Sequence, residues 1–517
     1  MLRSEWNGRM AAVVDIGSSA LRLLVAERLE DGSWHALESL ERPCELGRDV
    51  FLHGEIGPDS FRHLLLVLTS FRESLRAWQV PDNSVRVIGT SALREALNRD
   101  TVVDRVNLRT GFQIEVIEGV EASRLTYLAV ESALAQGWPG FQLANTLVVE
   151  VSGGSTEVLL LHRGAVASTH TLALGTVRIG QQLRGSGGNE MAGRVLEDAV
   201  QGFSRMVDSE FPLSQVNFIV AIGGELRFAA RRIGKEITPR LRRIEGKDFL
   251  KFTDSLRRLA PDEIARRHGL SPSDAASLFP ALKVVSAFLQ ASNAKNLLVP
   301  DASIRDGVLD DLARGGGIDA SLAEQIIASA WNVARKYHCD EDHARHTREA
   351  ALTLFDALAP GRGLDASHRL ILEVAAILHD SGRFIATSSH HKHSLYIIRN
   401  TEIFGLSPEA RDVAANVARY HRKSAPSLDD KEFAALERDQ RLAVVKLAAI
   451  LRVADALDSG ERSRAIISKI EIDETEGELR LYLDRGDEAA SAVRTRADMM
   501  EDVFGLHPRL ISRFKAE

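Results

Sequence analysis

The chain has 517 residues, a formal net charge of −7, 44% hydrophobic and 26% charged residues. Those proportions exclude a disordered chain, and at roughly 100–200 residues per domain they suggest about three or four domains. No run approaches the ~18 apolar residues of a membrane span, so no membrane partner is expected; the acidic balance excludes a general nucleic-acid coat and leaves room for a local basic groove. Cys44 and Cys339 lie far apart and outside any CxxC, which excludes a cysteine zinc cage and fits a reducing, cytoplasmic compartment. Residues 1–10 carry Arg3, Glu5 and Arg9 and no apolar core, so no secretory signal is expected.

In chain order, 11–16 and 21–26 read as two strands around the turn Gly17-Ser18-Ser19. A helix is expected over 61–78, with apolar residues at Leu64, Leu65, Leu68, Phe71 and Leu75. A short strand at 85–88, a helix over 91–98, a strand at 114–117 and a helix from about 120 to 135 follow. The opening pattern then repeats: a strand at 146–151, the turn Ser152-Gly153-Gly154-Ser155, and a strand at 157–162. A strand at 218–222 ends in Gly223-Gly224 before a helix starting at Glu225, a junction that aims backbone N–H groups and a helix dipole at anions. The composition changes at the linker 314–317. Beyond it helices are expected over 322–337, 342–358, 368–379, 408–421 and 441–457, then a hairpin of 466–472 with 478–483, and one last helix around 490–504.

The two strand–turn–strand units share a chemistry. Glycine lets the backbone approach a phosphate, successive N–H groups form a nest, and hydroxyls add donors. Gly17, Ser18 and Ser19 in the first turn, and Gly153, Gly154, Ser155 and Thr156 in the second, are the candidate phosphate-binding residues. Asp15, Glu150 and Glu157 at the strand ends are candidate ligands for a divalent cation, Mg²⁺, bridging phosphate oxygens.

These motifs, with Gly89 to Asn98, Ile117 to Tyr127, Leu174 to Arg178, Ile222-Gly223-Gly224 and Ile304-Arg305-Asp306-Gly307, occur in the order seen in the exopolyphosphatase and guanosine pentaphosphate phosphatase (Ppx/GppA) family, which the chain resembles. The resemblance implies a duplicated actin-like ATPase (ribonuclease H-like) α/β fold with its site in the cleft between the halves. It implies release of terminal orthophosphate from inorganic polyphosphate, or guanosine pentaphosphate 5′-phosphatase activity, and a homodimer. It assigns Glu121 as the general base that activates water and Arg94 as an arginine facing the phosphate chain. The chain departs from the family pattern at Ser19, Glu45, Ala122, Glu150 and Ser152, where Asn, Arg, a second Glu, Asp and Gly are usual. A displacement near 1 Å can cost ~10²-fold in rate, so altered specificity or a binding-only site stays open.

The helical part carries His343, the dipeptide His379-Asp380, His393, His421 and Asp455. The pattern resembles the HD superfamily of metal-dependent phosphohydrolases. It implies a first metal held by His343, His379, Asp380 and Asp455 and a second position completed by His393 and His421, with Mn²⁺, Fe²⁺ or another divalent ion. His338, His346, His390 and His391 read as surface or packing residues.

The arginine-rich run from Arg227 to Arg243, with Arg257, Arg258, Arg266 and Arg267, reads as a solvated face or as a polyanion track. The expected organisation is an actin-like subdomain over 1–124, a second over 125–314, and an all-α HD-type domain with a small hairpin over 315–517. Rival functions stay open: an HD-centred phosphohydrolase, or a non-hydrolytic sensor of polyphosphate or an alarmone.

Overall fold

The computed structural model describes residues 9–135, 138, 140, 143–182, 188–207, 211–315, 317–458, 465–484 and 489–512. Residues 1–8 and Gly316, which belong to the N-terminal and linker expectations, lie outside the described residues. The chain forms two compact units, Met1–Asp319 and Ala320–Glu517.

The first unit is built on two sheets. Strands β1 (Met10–Ile16), β2 (Ala20–Arg28), β3 (Trp34–Pro43), β4 (Val85–Gly89) and β5 (Ile114–Val116) take the order β3-β2-β1-β4-β5. Strands β6 (Thr146–Val151), β7 (Thr156–His162), β8 (Ala165–Leu172), β9 (Phe218–Ile222), β10 (Lys235–Thr238), β11 (Leu241–Glu245) and β12 (Asn296–Pro300) take the order β10-β11-β12-β9-β6-β7-β8. Read from β8, the second order repeats the first: an antiparallel three-strand meander, then two strands added in parallel. The duplication seen in the turns therefore extends through five strands of each sheet, and β10 and β11 are an addition to the second.

β3 and β8, and helices Leu46–His53 and Arg99–Thr110, are absent from the sequence reading. β3 is an edge strand exposed along most of its length, so burial leaves no alternation to read.

Helix Pro58–Ala77 has proline at its first position and buries Phe61, Leu64, Leu68, Phe71 and Leu75, one stripe at helical spacing, on one face of the first sheet. Phe71 is fully buried, so its truncation to alanine should cost about 3–5 kcal/mol.

The opposite face of the first sheet takes a helix from the stretch expected in the second subdomain. Ile304, Val308, Leu309 and Leu312 of helix Ile304–Ala313 pack with Ala11, Val13 and Ile88, so the end of the expected second subdomain returns to the first. The helix lies hard against its neighbour Gly119–Ala135, where a Cβ on Gly307 would stand 1.8 Å from the Leu125 carbonyl oxygen. On the same helix the buried Asp311 accepts from Arg86 at 2.5 Å and from Arg124 at 2.8 Å. Losing one partner of such a buried cluster costs about 3–5 kcal/mol.

In the second unit, helices Ala320–Lys336, Glu341–Leu358, Ala366–Leu378, His390–Arg399, Pro408–Arg419 and Arg438–Leu457 surround an apolar interior. The expected hairpin forms from β13 (Ile467–Asp473) and β14 (Glu478–Leu483). The expected single last helix is two short ones, Ala489–Arg496 and Asp498–Phe504, followed by β15 (His507–Ser512), which pairs in parallel with β14. Asp498, at the start of the second of these helices, takes the buried Arg452, and Gly505 (φ 67°) ends it.

Candidate active site and metal centre

The repeat brings the two turns of the first unit onto one cavity of about 1340 Å³. Asp15 ends β1 beside Gly89 of β4, and Glu150 ends β6 beside Ile222 of β9, so both carboxylates sit at the carboxyl ends of parallel strands. Gly17, Ser18, Ser19, Arg94, Gly153, Ser155 and Glu157 also line the cavity. Ser18 Oγ lies 3.0 Å from Ser91 Oγ.

Two of the expected phosphate-binding residues, Gly154 and Thr156, are packed into the protein through their side-chain positions and are not among the residues lining the cavity. Thr156 is fully buried and donates to the Leu174 carbonyl, and a Cβ on Gly154 would meet Ser91 Oγ at 2.2 Å. Gly175 packs as closely, and against backbone, since its Cβ would lie 2.2 Å from the Gly154 carbonyl carbon, so the segment after β8 can cover the second turn only without a side chain there.

The most consequential correction concerns Glu121. Its carboxylate does not line the cavity: both oxygens are taken by Arg124 at 2.7 Å, and Arg124 continues to Asp311. The next residue, Ala122, lines the cavity in its place. Adjacent helical residues point about 100° apart, so the phase of helix Gly119–Ala135 decides which faces the phosphate turns.

Three carboxylates that line the cavity, Asp15, Glu150 and Glu157, are displaced upward in pKa. Burial raises Asp15 against the pull of Arg22 and Arg305. Burial raises Glu150 too, against a hydrogen bond from Thr126, with the Asp15 charge adding to the rise. Burial pushes Glu157 up to about 7, although Thr171 and Arg94 oppose it. Thr171 Oγ1 donates to Glu157 Oε2 at 2.5 Å and Ser155 Oγ to Oε1 at 3.1 Å. Asp15 Oδ1 is buried with no hydrogen-bond partner, an oxygen suited to a cation. The set fits a hard ion held by one or two carboxylates and completed by phosphate oxygens.

Arginines at the cavity include two that the sequence reading left without a role, Arg22 and Arg305. Arg22 Nη1 is 3.9 Å from Asp15 Oδ2. Of the basic run, Arg227, Arg231, Arg257 and Arg258 line the cavity, whereas Arg240 and Arg242 pair with Asp306 and Glu236. Glu45 is at the wall beside Arg48, 3.5 Å away.

In the second unit a histidine–aspartate centre assembles. His343 Nε2 lies 3.1 Å from His379 Nε2, 3.3 Å from Asp455 Oδ1 and 3.6 Å from Asp380 Oδ2. His379 Nε2 is 3.6 Å from Asp455 Oδ1 and 3.8 Å from Asp380 Oδ2. The other oxygen of Asp380 faces His390 Nε2 at 3.1 Å and His421 Nε2 at 3.9 Å. Among the described residues the groups able to hold a metal are His343–His379–Asp380 and Asp380–His390–His421, joined through Asp380.

This corrects the expectation for His393, which is not part of either group; His390, read from sequence as a surface or packing residue, occupies the position. His390 is buried at the first position of its helix, directly after Ser389 in the left-handed conformation (φ 56°). Helical side chains lean toward the N-terminus, which favours the earlier of two histidines spaced i, i+3. That spacing after a turn was the one available signal.

The ring orientations fit metal ligation. Nδ1 of His343 meets Asp458 Oδ2 at 2.5 Å, that of His379 the Ala376 carbonyl at 2.7 Å, that of His421 the Ala418 carbonyl at 2.6 Å, and that of His390 the Thr387 carbonyl at 2.9 Å. Each acceptor holds the proton on Nδ1 and turns the Nε2 lone pair to the centre. Burial and His379 bring His421 down to about 3, so it is neutral at ordinary pH. Burial lowers His343, but Asp455 and Asp458 outweigh it and lift it to about 9, so without a cation its Nε2 also carries a proton, which a bound ion would replace. Arg383 Nε contacts Asp380 Oδ2 at 2.8 Å, and Arg496 pairs with Asp455.

Comparison with known proteins agrees with this architecture. The model of the Ppx/GppA phosphatase family matches residues 25–314, and that of Ppx/GppA phosphatase domain III matches 327–496. The chain belongs to the Ppx/GppA phosphatase family. It is thereby a member of a family of hydrolases acting on phosphoanhydride bonds, which work with divalent metals. It is 23% identical over 494 residues to a guanosine-5′-triphosphate,3′-diphosphate pyrophosphatase of Aeromonas hydrophila, covering 93% of each chain. It is 22% identical over 458 residues to the protein so named in Vibrio atlanticus, covering 85% of this chain and 86% of the relative. The crystal structure of an exopolyphosphatase from Cytophaga hutchinsonii superposes with a TM-score of 0.52 at 19% identity, covering 59% of this chain and 98% of that one. The first unit therefore has the duplicated actin-like fold. Among the described residues no helix is long and apolar enough to cross a membrane.

Proposed function

We propose that the first unit releases terminal orthophosphate from inorganic polyphosphate, in the cytoplasm, with Glu157 as the residue that takes the proton from the attacking water. The observation that supports this best is one cavity combining both phosphate turns, the carboxylates Asp15, Glu150 and Glu157, and Arg94. Asp15 and Glu150 would hold a Mg²⁺ ion, which when bound neutralises phosphate oxygens. Ser18, Ser155 and Arg94, which line the cavity, would orient the terminal phosphate. The water oxygen bonds to the terminal phosphorus, the terminal P–O–P bond breaks, and the water proton passes to Glu157. Glu121, held by Arg124, stabilises the helix that carries Ala122. The test is orthophosphate release from polyphosphate in Mg²⁺ by wild type, Glu157→Gln and Glu121→Gln.

A second reading, guanosine pentaphosphate, is favoured by a different part of the same cavity. Phe228, Leu259, Pro261 and Leu270 supply an apolar wall, with Asp274 beside them, that an inorganic chain does not use. Competition between the two substrates in one assay separates these readings.

For the second unit we propose a divalent-cation phosphohydrolase centre of the HD type, separate from the first. Four histidines with anchored Nδ1 atoms and the two-sided Asp380 support it. Imidazole-rich ligation suits Mn²⁺ or Fe²⁺ over Mg²⁺. Metal content after Mn²⁺ incubation, in wild type and in Asp380→Ala, tests this reading.

A further inference from the structure

Arg178 stands next to the cavity of the first unit without lining it, and its side chain joins the two sheets whose turns meet there. It belongs to helix Thr176–Gln182, between Val177 at the cavity wall and Ile179 in the core of the second sheet. Its guanidinium carbon lies 4.1 Å from the centroid of the Phe51 ring, and Phe51 packs on the core of the first sheet. Nη2 donates to both carboxylate oxygens of Glu95, at 2.7 and 2.6 Å, and Nε donates to the Gly154 carbonyl at 3.1 Å. One planar fork therefore holds an aromatic face and a carboxylate from the side of the first sheet and a backbone carbonyl of the second phosphate turn.

Each contact leads to a group at the cavity. Gly154 and Ser155 share a peptide plane, so a fixed Gly154 carbonyl fixes the opposite direction of the Ser155 N–H, and Ser155 lines the cavity. Glu95 ends helix Ser91–Glu95, which carries Arg94 to the cavity; with five residues and no side-chain cap, that helix does little to hold its own orientation. Phe51 lies against the second turn, where a Cβ on Gly154 would stand 2.7 Å from its Cζ. The first turn joins the same seam, since a Cβ on Gly153 would stand 3.2 Å from Ser18 Cβ. The ion pair is partly open to water, with side chains 19% and 40% exposed, so by itself it is weak and can open. Its effect comes from the stacking and the second acceptor that it combines at this seam.

We propose that Arg178 is a positioning residue that clasps the second phosphate turn to the helix of Arg94, so that both turns and Arg94 grip one terminal phosphate; this rests on the reading of the cavity as the site of orthophosphate release. With the clasp open, the turns bind phosphate only in the fraction of molecules in which they are aligned, and the apparent affinity falls by that fraction. Saturating substrate restores the alignment, so the loss falls on KM and spares kcat.

The test uses the full chain in Mg²⁺. Calorimetry measures the binding of orthophosphate, the product, and steady-state release from polyphosphate gives KM and kcat. Both are taken for wild type, Arg178→Gln, Arg178→Lys, Glu95→Gln and the double variant Glu95→Gln/Arg178→Gln, with urea unfolding of each. Arg178→Gln should weaken orthophosphate binding and raise KM, each about tenfold, the order of one ion pair and one stacked cation, with kcat within about threefold of wild type. Arg178→Lys keeps the charge and should behave like Arg178→Gln, because an ammonium cannot fork between carbonyl and carboxylate while stacking on Phe51. Glu95→Gln should raise KM less, and the double variant should match Arg178→Gln, since both changes open the same clasp. Easier unfolding of Arg178→Gln with KM and orthophosphate affinity unchanged, full rescue by lysine, or additive effects of the two glutamines overturns the clasp. Wild type that binds orthophosphate but releases none from polyphosphate overturns the reading of the reaction, and the orthophosphate affinities of the variants then decide the clasp. Wild type that binds no orthophosphate overturns both.

Discussion

Replacing Glu157 by glutamine should do two opposite things. The carboxylate is buried at the cavity wall, held by Thr171 and Ser155, and titrates at about 7 in place of 4.5. Below pH 4.5 the folded and unfolded chains both carry the proton. Between 4.5 and 7 only the folded chain does, so each step up in pH lowers native stability, and above 7 the loss is complete. That rise corresponds to about 3 kcal/mol. Glutamine keeps both polar contacts and has no proton to lose. The variant should therefore match wild type near pH 4.5 and exceed it by up to about 3 kcal/mol at pH 8. Its turnover of polyphosphate should fall by 10² or more, because the amide cannot accept the water proton. Urea unfolding at pH 5 and pH 8, with orthophosphate release at pH 8, gives both readings. In wild type, release should rise with pH through about 7. A variant that keeps wild-type turnover, or is destabilised at pH 8, refutes the role given to Glu157.

Glu121→Gln should keep turnover within about threefold and lower stability by about 1 kcal/mol through its loosened contact with Arg124, read from kinetics and urea unfolding. Ala122→Glu adds a carboxylate where helix Gly119–Ala135 meets the cavity, at a position where the family usually has one, and should raise kcat for polyphosphate several-fold. His390→Ala should lose one Mn²⁺ equivalent by elemental analysis, whereas His393→Ala, outside both ligand groups, should retain full content.

The sequence carries the repeat because its signals are local: alternating apolar residues, then Gly-Ser turns that tolerate little else. Asp15 and Glu150 are legible as equivalent positions for the same reason, as the last acidic residues before those turns. What it hides is phase. Glu121 and Ala122 differ by one helical step, and only the packing of Gly307 against Leu125 and the pull of Arg124 fix which meets the cavity. His390 and His393 differ by one turn on one face, and the turn at Ser389 decides between them. The helix Ile304–Ala313 hides its destination, because an apolar stripe names no partner. The edge strand β3 and the short β15 with its Pro508 show too little burial to announce themselves.

The most direct measurement is Mg²⁺-supported orthophosphate release from inorganic polyphosphate by wild type, Glu157→Gln and Asp380→Ala at pH 8. The expected result is release by wild type and Asp380→Ala at similar rates and none by Glu157→Gln. Release that survives Glu157→Gln and vanishes in a folded Asp380→Ala would place the hydrolysis in the helical unit and leave the actin-like cavity as a binding site.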